Sequence, residues 1–318
     1  MNPQIYSDIV RAEEILSTLP DDATEAILKN SAEKALAISP YCLDAWQILS
    51  ELADTEEDAI AILKKGVSHG RELHAELIAS VDPEDGIWGH TEARDFMRLL
   101  HDLAIFYDAT DELEQAVEIY EEMLHLNPSD NQGVRGDLLH DYIVLNQTAE
   151  ARALLKRFEK IVHCDTSLAH GAALLEIMIA MEDFEDTWMD EIERQQPSDT
   201  AGFKKFFGKN FQTVDKAMKN AMKANPYVGL IMAMPGIMEM EEPAMYSMGG
   251  PDEALHYAHK HAPTWLAAFL PFVMVSTYSL HANENGADPT PEHLEELEAI
   301  SEFATDPDCA PWWEDDIE

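Results

Sequence analysis

Three observations predict an all-α fold: a right-handed, tetratricopeptide-like helical-repeat array followed by an irregular helical C-terminal segment. Glycine and proline are scarce in the first two hundred residues. Apolar residues recur there at helical spacing, and nothing alternates convincingly with period two. Small and large side chains also recur in the order that lets antiparallel helices cross closely.

The elements follow in order. Gln4 to Thr18 and Ala23 to Ile38 form a first helix pair, broken at Leu19-Pro20-Asp21-Asp22, where Pro20 ends one helix and an aspartate can cap the next. Ser39-Pro40 closes that pair. Trp46, Leu49 and Ser50 then stand where a tetratricopeptide repeat places its large, aliphatic and small residues, and Ala59, Ile62 and Gly66 follow on the second helix. Helix continues through Val67 to Leu77. Ser80 to Thr91, with Pro83, Asp85-Gly86 and Gly89, is a loop.

The repeat arrives in full from Arg94 to Pro128. Leu100, Leu103, Ala104 and Tyr107 share one face of its first helix, and Ala116, Tyr120 and Met123 line its second. Only Met123 replaces an expected small residue. A further pair spans residues 131–160, with Leu138, Leu139, Tyr142 and Leu145 on one helix and Ala149, Ala153, Leu155 and Phe158 on the other. Ala169 to Met181 is strongly apolar and helical. A soft boundary is placed near Pro197, giving an array over 1–196 and a C-terminal segment over 197–318. That segment holds a lysine cluster, a methionine-rich stretch, a short helix from Asp252 to Ala258, an acidic helix from Pro291 to Ala304 and the tail CAPWWEDDIE.

The charge narrows the partners. Acidic residues outnumber basic ones 62 to 21, for a formal net charge of −41. Such a surface repels nucleic-acid backbones and anionic lipid, and favours basic partners or high salt. Cys42, Cys164 and Cys309 stand far apart with no CxxC pair, which fits a reducing, cytoplasmic compartment. MNPQIYSDIVRAEE has neither a basic start nor an apolar run, so no secretory signal is expected. The uncharged run Ala262 to Leu280 approaches a membrane span in length. Its Pro263 and Pro271, its hydroxyl residues and its lack of flanking arginines favour a buried helix pair.

Three ordered pieces of the chain carry a family likeness. They are MRLLHDLAIFY…ELEQAVEIYEEMLHLNPSDNQGVR at 97–135, ARALLKRF at 151–158, and Ala-Asn-Pro-Tyr-Val at 224–228 followed by Gly250 to Ala254 and Trp265. In these the sequence resembles the tetratricopeptide-like suppression-of-tumorigenicity-7 family and its compact bacterial relatives. The resemblance implies a helical repeat fold and a non-enzymatic role, and it supplies no catalytic residues.

Each candidate site competes with a plainer reading. Asn127 to Arg135 has the residues of a functional loop and equally those of an interrepeat joint. Glu253, His256 and His259 offer a weak metal set, since i and i+3 ligands can share a helix face. The methionines from Met218 to Met248 fit an adaptable peptide groove or irregular core filling. Lys216, Lys219 and Lys223 share a helix face that can receive an acidic partner or neutralise the protein's own acids. Trp312-Trp313 can act as a short motif or fold back. No P-loop, GxSxG, HExxH or dinucleotide fingerprint occurs, and no carboxylate pair has a distinctive context.

The sequence therefore predicts a non-enzymatic scaffold, without cofactor, that binds a protein or peptide on a concave repeat surface. Arg94, Arg98, Tyr107 and Arg135 face that surface, with Lys216, Lys219 and Lys223 as a second contact. A metal enzyme using Glu253, His256 and His259, and an acidic mimic occupying another protein's basic site, are the alternatives.

Overall fold

The computed structural model describes residues 3–20, 22–184, 187–234, 236–243, 245–267, 270–285 and 291–304. All regular structure among them is helical, and no strand occurs. The chain divides into two compact units, Met1–Asp141 and Tyr142–Glu318.

In the first unit, helices pack against their sequence neighbours. Helix α1 (Pro3–Ser17) pairs with α2 (Glu25–Ile38), and α2 packs on α3 (Leu43–Glu51). Small residues permit this. Ala12, Ala32, Ala35, Cys42 and Ala45 form one buried cluster, with Leu16, Leu36 and Leu49 around it. Thr24, rather than Asp22, holds the N-cap position of α2.

Helix α4 (Glu56–Leu73) starts where the Thr55 hydroxyl accepts the Asp58 N–H at 3.2 Å. Three acids then occupy its first turn, favourable at the positive end of the helix dipole. Gly66 faces the crossing with α3. A Cβ there would lie 2.8 Å from Trp46 Cβ and 3.0 Å from Leu99 Cδ1, so the helices approach as closely as they do only because the position is small. The helix expected to reach Leu77 breaks at His74, and a short α5 (Ala75–Ala79) follows.

The loop after it is not loose. Ile87 is fully buried, and its N–H donates to the Leu126 carbonyl at 2.7 Å. Helices α6 (Arg94–Ala109) and α7 (Leu113–Leu126) form a helix pair over the stretch from Arg94 to Pro128. Leu100, Leu103, Ala104, Tyr107, Ala116, Tyr120 and Met123 are all buried along them. Met123 is enclosed rather than tolerated at a rim, so the crossing accepts a flexible side chain where a small one was expected.

Helix α8 (Arg135–Val144) contains the division between the units. The boundary expected near Pro197 thus falls inside the second unit. The cause is α10 (Thr166–Glu182), which follows α9 (Thr148–Arg157). It is apolar on all sides, and it packs chiefly on α13 (Phe211–Ala224) and also on α15 (Pro251–Leu266). A helix without a polar face needs neighbours all round, so α10 binds residues 166–182 to the C-terminal helices.

The remaining helices are α11 (Trp188–Gln195), α12 (Thr200–Phe207), α14 (Val228–Met232), α16 (Leu270–Asn285) and α17 (Pro291–Ala304). The short helix expected at 252–258 is longer: α15 continues through Pro263, whose ring is exposed. Among the described residues no helix is long and apolar enough to cross a membrane. Trp312-Trp313 and Cys309 lie outside the described residues.

Candidate functional site

A shallow groove opens on the first unit, about 260 Å³ in volume. Its lining comes from three helices: Lys64, Val67 and Arg71 of α4, Leu103 and Tyr107 of α6, and Gln115, Glu118 and Ile119 of α7. Helix α6 packs against both α4 and α7. The other two are linked by Arg71, whose Nε and Nη2 donate to Glu122 Oε1 and Oε2 at 3.0 and 2.5 Å. This fork ties α4 to α7 beside the groove. Hydrogen bonding to Glu122 raises the Arg71 pKa further. The Lys64 ammonium lies 5.6 Å from the centre of the Tyr107 ring, within cation–π range. Val67, Leu103, Tyr107 and Ile119 give the groove an apolar floor, while Lys64, Gln115 and Glu118 are exposed at its edges.

Of the residues expected to face a partner, only Tyr107 lies here. Arg94 donates from Nε to the Trp88 carbonyl at 3.3 Å, and its guanidinium stacks 5.1 Å from the Trp88 ring. Arg98 reaches Asp44 at 3.1 Å and also Asp95. Arg135 is tied to Asp130, Nη1 to Oδ2, at 2.9 Å. Asp130 is itself buried and accepts the Val134 and Arg135 N–H groups at 2.9 and 3.1 Å. Asp130 therefore caps α8, and Arg135 neutralises the cap. The Asn127–Arg135 run is built as a joint.

The lysines of α13 form its solvent face. Lys216, Lys219 and Lys223 are exposed, while Phe211, Val214, Met218, Ala221 and Met222 are buried on the opposite side. Lys219 pairs with Asp215 at 2.7 Å. Tyr278 also donates to Asp215, at 2.6 Å. With these two donors beside it, the Asp215 carboxyl stays below its usual range despite partial burial.

The weak metal set is split by its neighbours. Glu253 turns inward and accepts from Thr166 Oγ1 at 2.7 Å and from the Gly249 N–H at 2.6 Å. His256 lies against Glu242, with Nδ1 2.5 Å from Oε1, and its ring sits tilted beside that of Tyr246. Among the described residues no group of three His, Cys, Asp or Glu side chains is arranged to hold a metal ion.

One arrangement escaped the reading of the sequence. The Tyr120 hydroxyl donates to Asp108 Oδ2 at 2.5 Å, and Asp141 hydrogen-bonds to the same Asp108. Tyr120 is fully buried and Asp141 is 7% exposed. Burial, then the Asp108 and Asp137 charges, push the Asp141 carboxyl up to about 9. A second acid behaves alike. Asp102 rises to about 6, through burial and then the Glu51 charge.

The two sites correspond. Leu-Leu-His-Asp occurs at 99–102 in α6 and again at 138–141 in α8. Glu51 and Asp108 each stand eight residues before a buried alanine, Ala59 and Ala116, on the next helix. An acid late in one helix thus meets the aspartate of the following Leu-Leu-His-Asp. The repeated tetrapeptide was the available signal; a carboxylate pair spread over two distant segments has no local spacing to betray it. Asp141 is buried, and Asp102 is half-buried.

A scan against protein-family models finds no match, and no curated protein matches the sequence.

Proposed function

We propose that this chain is a non-enzymatic protein-binding module, tetratricopeptide-like in its first unit, whose α4–α6–α7 groove seats a short segment of another protein. The likeness of residues 97–135 to the suppression-of-tumorigenicity-7 family belongs to the same proposal. The observation that carries it is the groove's size and chemistry together. Small-molecule and cofactor sites occupy about 300–1,000 Å³ and bury most of their ligand. A shallow groove of about 260 Å³ with an apolar floor suits one or two large side chains of a peptide instead. The Arg71–Glu122 fork supports this reading, because a preformed groove avoids the ordering cost of binding.

The seated segment carries a bulky aliphatic or aromatic anchor over Val67, Leu103 and Ile119. It also carries a carboxylate that competes with the Tyr107 ring for Lys64, the groove cation without a carboxylate partner among the described residues.

A displayed peptide library tests this. Panning on the wild-type protein is expected to enrich peptides with one bulky apolar residue next to Asp or Glu. Lys64→Glu, which replaces the exposed groove cation with an acid, is expected to weaken the best of them at least tenfold without moving the unfolding midpoint. Enrichment of no common pattern, or peptides that bind Lys64→Glu equally well, contradicts the proposal.

A further inference from the structure

The second unit divides the methionine-rich stretch in two. Met218, Met222 and Met232 are buried and fill core space. Met245 and Met248 are not: they are 87% and 72% exposed, and Tyr246 between them is 46% exposed. Large apolar side chains so close together in solvent mark a contact surface more often than chance exposure.

The segment is pinned from below. The Ser247 N–H donates to Asp252 Oδ2 at 2.8 Å, and the Gly249 N–H to the buried Glu253 at 2.6 Å. Glu253 is fixed in turn by Thr166 and by Asn225 Nδ2, the latter at 3.4 Å. Gly249 takes φ +76°, which turns the chain into α15. Tyr246 lies 4.9 Å from the His256 ring, centre to centre. Met248 is thus flanked by two backbone positions, Ser247 and Gly249, that the start of α15 holds.

Charge selects the partner. Glu239, Glu241 and Glu242 precede the methionines and are exposed, on a chain of net charge −41. Met245, Tyr246 and Met248 supply the apolar, polarizable centre, and the glutamates an acidic border. Flexible methionine surfaces of this kind accept apolar faces of differing shape.

We propose that Met245, Tyr246 and Met248 form a docking surface for a basic amphipathic helix. Its apolar side rests on the methionines and its Lys or Arg residues meet Glu239, Glu241 and Glu242. The surface lies in the second unit and does not depend on the groove reading.

The test uses three synthetic probes titrated into the full chain: a Leu/Lys amphipathic helix, a Leu/Glu helix, and a Ser/Lys peptide of equal charge. The Leu/Lys helix is expected to bind at least tenfold more tightly than either other probe. Met245→Ser with Met248→Ser is expected to remove that advantage while leaving the unfolding midpoint unchanged. Glu241→Gln with Glu242→Gln is expected to weaken binding and flatten its salt dependence. Equal binding of the Leu/Lys helix by wild type and the methionine variant overturns the proposal, because attraction is then to net charge alone. So does a concentration-dependent dimer in sedimentation that the methionine variant abolishes, because the surface then serves a second copy of this chain.

Discussion

Asp141→Asn is expected to make the protein more stable than wild type at pH 8, by about 2–5 kcal/mol, and the gain to vanish toward pH 4. The sign follows from the proton. In the folded chain Asp141 keeps its proton up to about 9, whereas an unfolded aspartate releases it near its ordinary value of about 3.9. Between those limits the folded state binds more protons, so wild-type stability falls as pH rises. It is fully present below the unfolded value and lost by the time pH passes the folded one. Asparagine cannot lose a proton, and its amide can still donate to Asp108. The charges that act on Asp141 are those of Asp108 and Asp137, both negative. Urea denaturation of both proteins at pH 4, 6 and 8 checks this. Parallel pH profiles would show that Asp141 is ionised when folded.

Gly229→Ala is expected to destabilise the second unit by about 3–5 kcal/mol, near the upper end for overpacking. A Cβ at Gly229 would lie 2.3 Å from the Val275 carbonyl oxygen, 2.4 Å from its carbon and 2.7 Å from Ser276 N. All three are backbone atoms, so no rotamer change relieves the clash; α14 and α16 must separate. Separation also strains the bond from the Gly229 N–H to Ser279 Oγ, 2.9 Å long and buried. Alanine's advantage in helix propensity, about 1 kcal/mol, is too small to compensate. Gly89→Ala is the control, since nothing lies within 4 Å of a Cβ there. A similar loss of unfolding free energy in both variants would contradict the close approach of α14 and α16.

Local patterns were legible in the sequence and distant pairings were not. The α6–α7 hairpin could be read because its large and small residues recur at helical spacing on a single stretch. The lysine face of α13 was visible for the same reason, and Lys216, Lys219 and Lys223 are exposed along it. The expected boundary near Pro197 differs from the division after Asp141, since a composition shift says nothing about where the apolar α10 finds its neighbours. Arg94, Arg98 and Arg135 looked available because their partners, Trp88, Asp44 and Asp130, are set by the folded chain. Glu253 looked like a helix-surface ligand beside His256, whereas the approach of Thr166 and the Gly249 backbone draws it inward. The groove itself was not readable, since its residues come from three helices and only Tyr107 among them was singled out.

The measurement that tests the central claim most directly is site-specific photocross-linking with the tightest selected peptide. The photoreactive side chain is placed at Gln115 beside the groove, and in a control at Glu33, an exposed position on α2. Seating in the α4–α6–α7 groove predicts strong cross-linking from position 115, competed away by excess unlabelled peptide, and little from position 33. Equal yields from both positions, or none from 115 while binding persists, would place the peptide elsewhere and contradict the groove as the binding site.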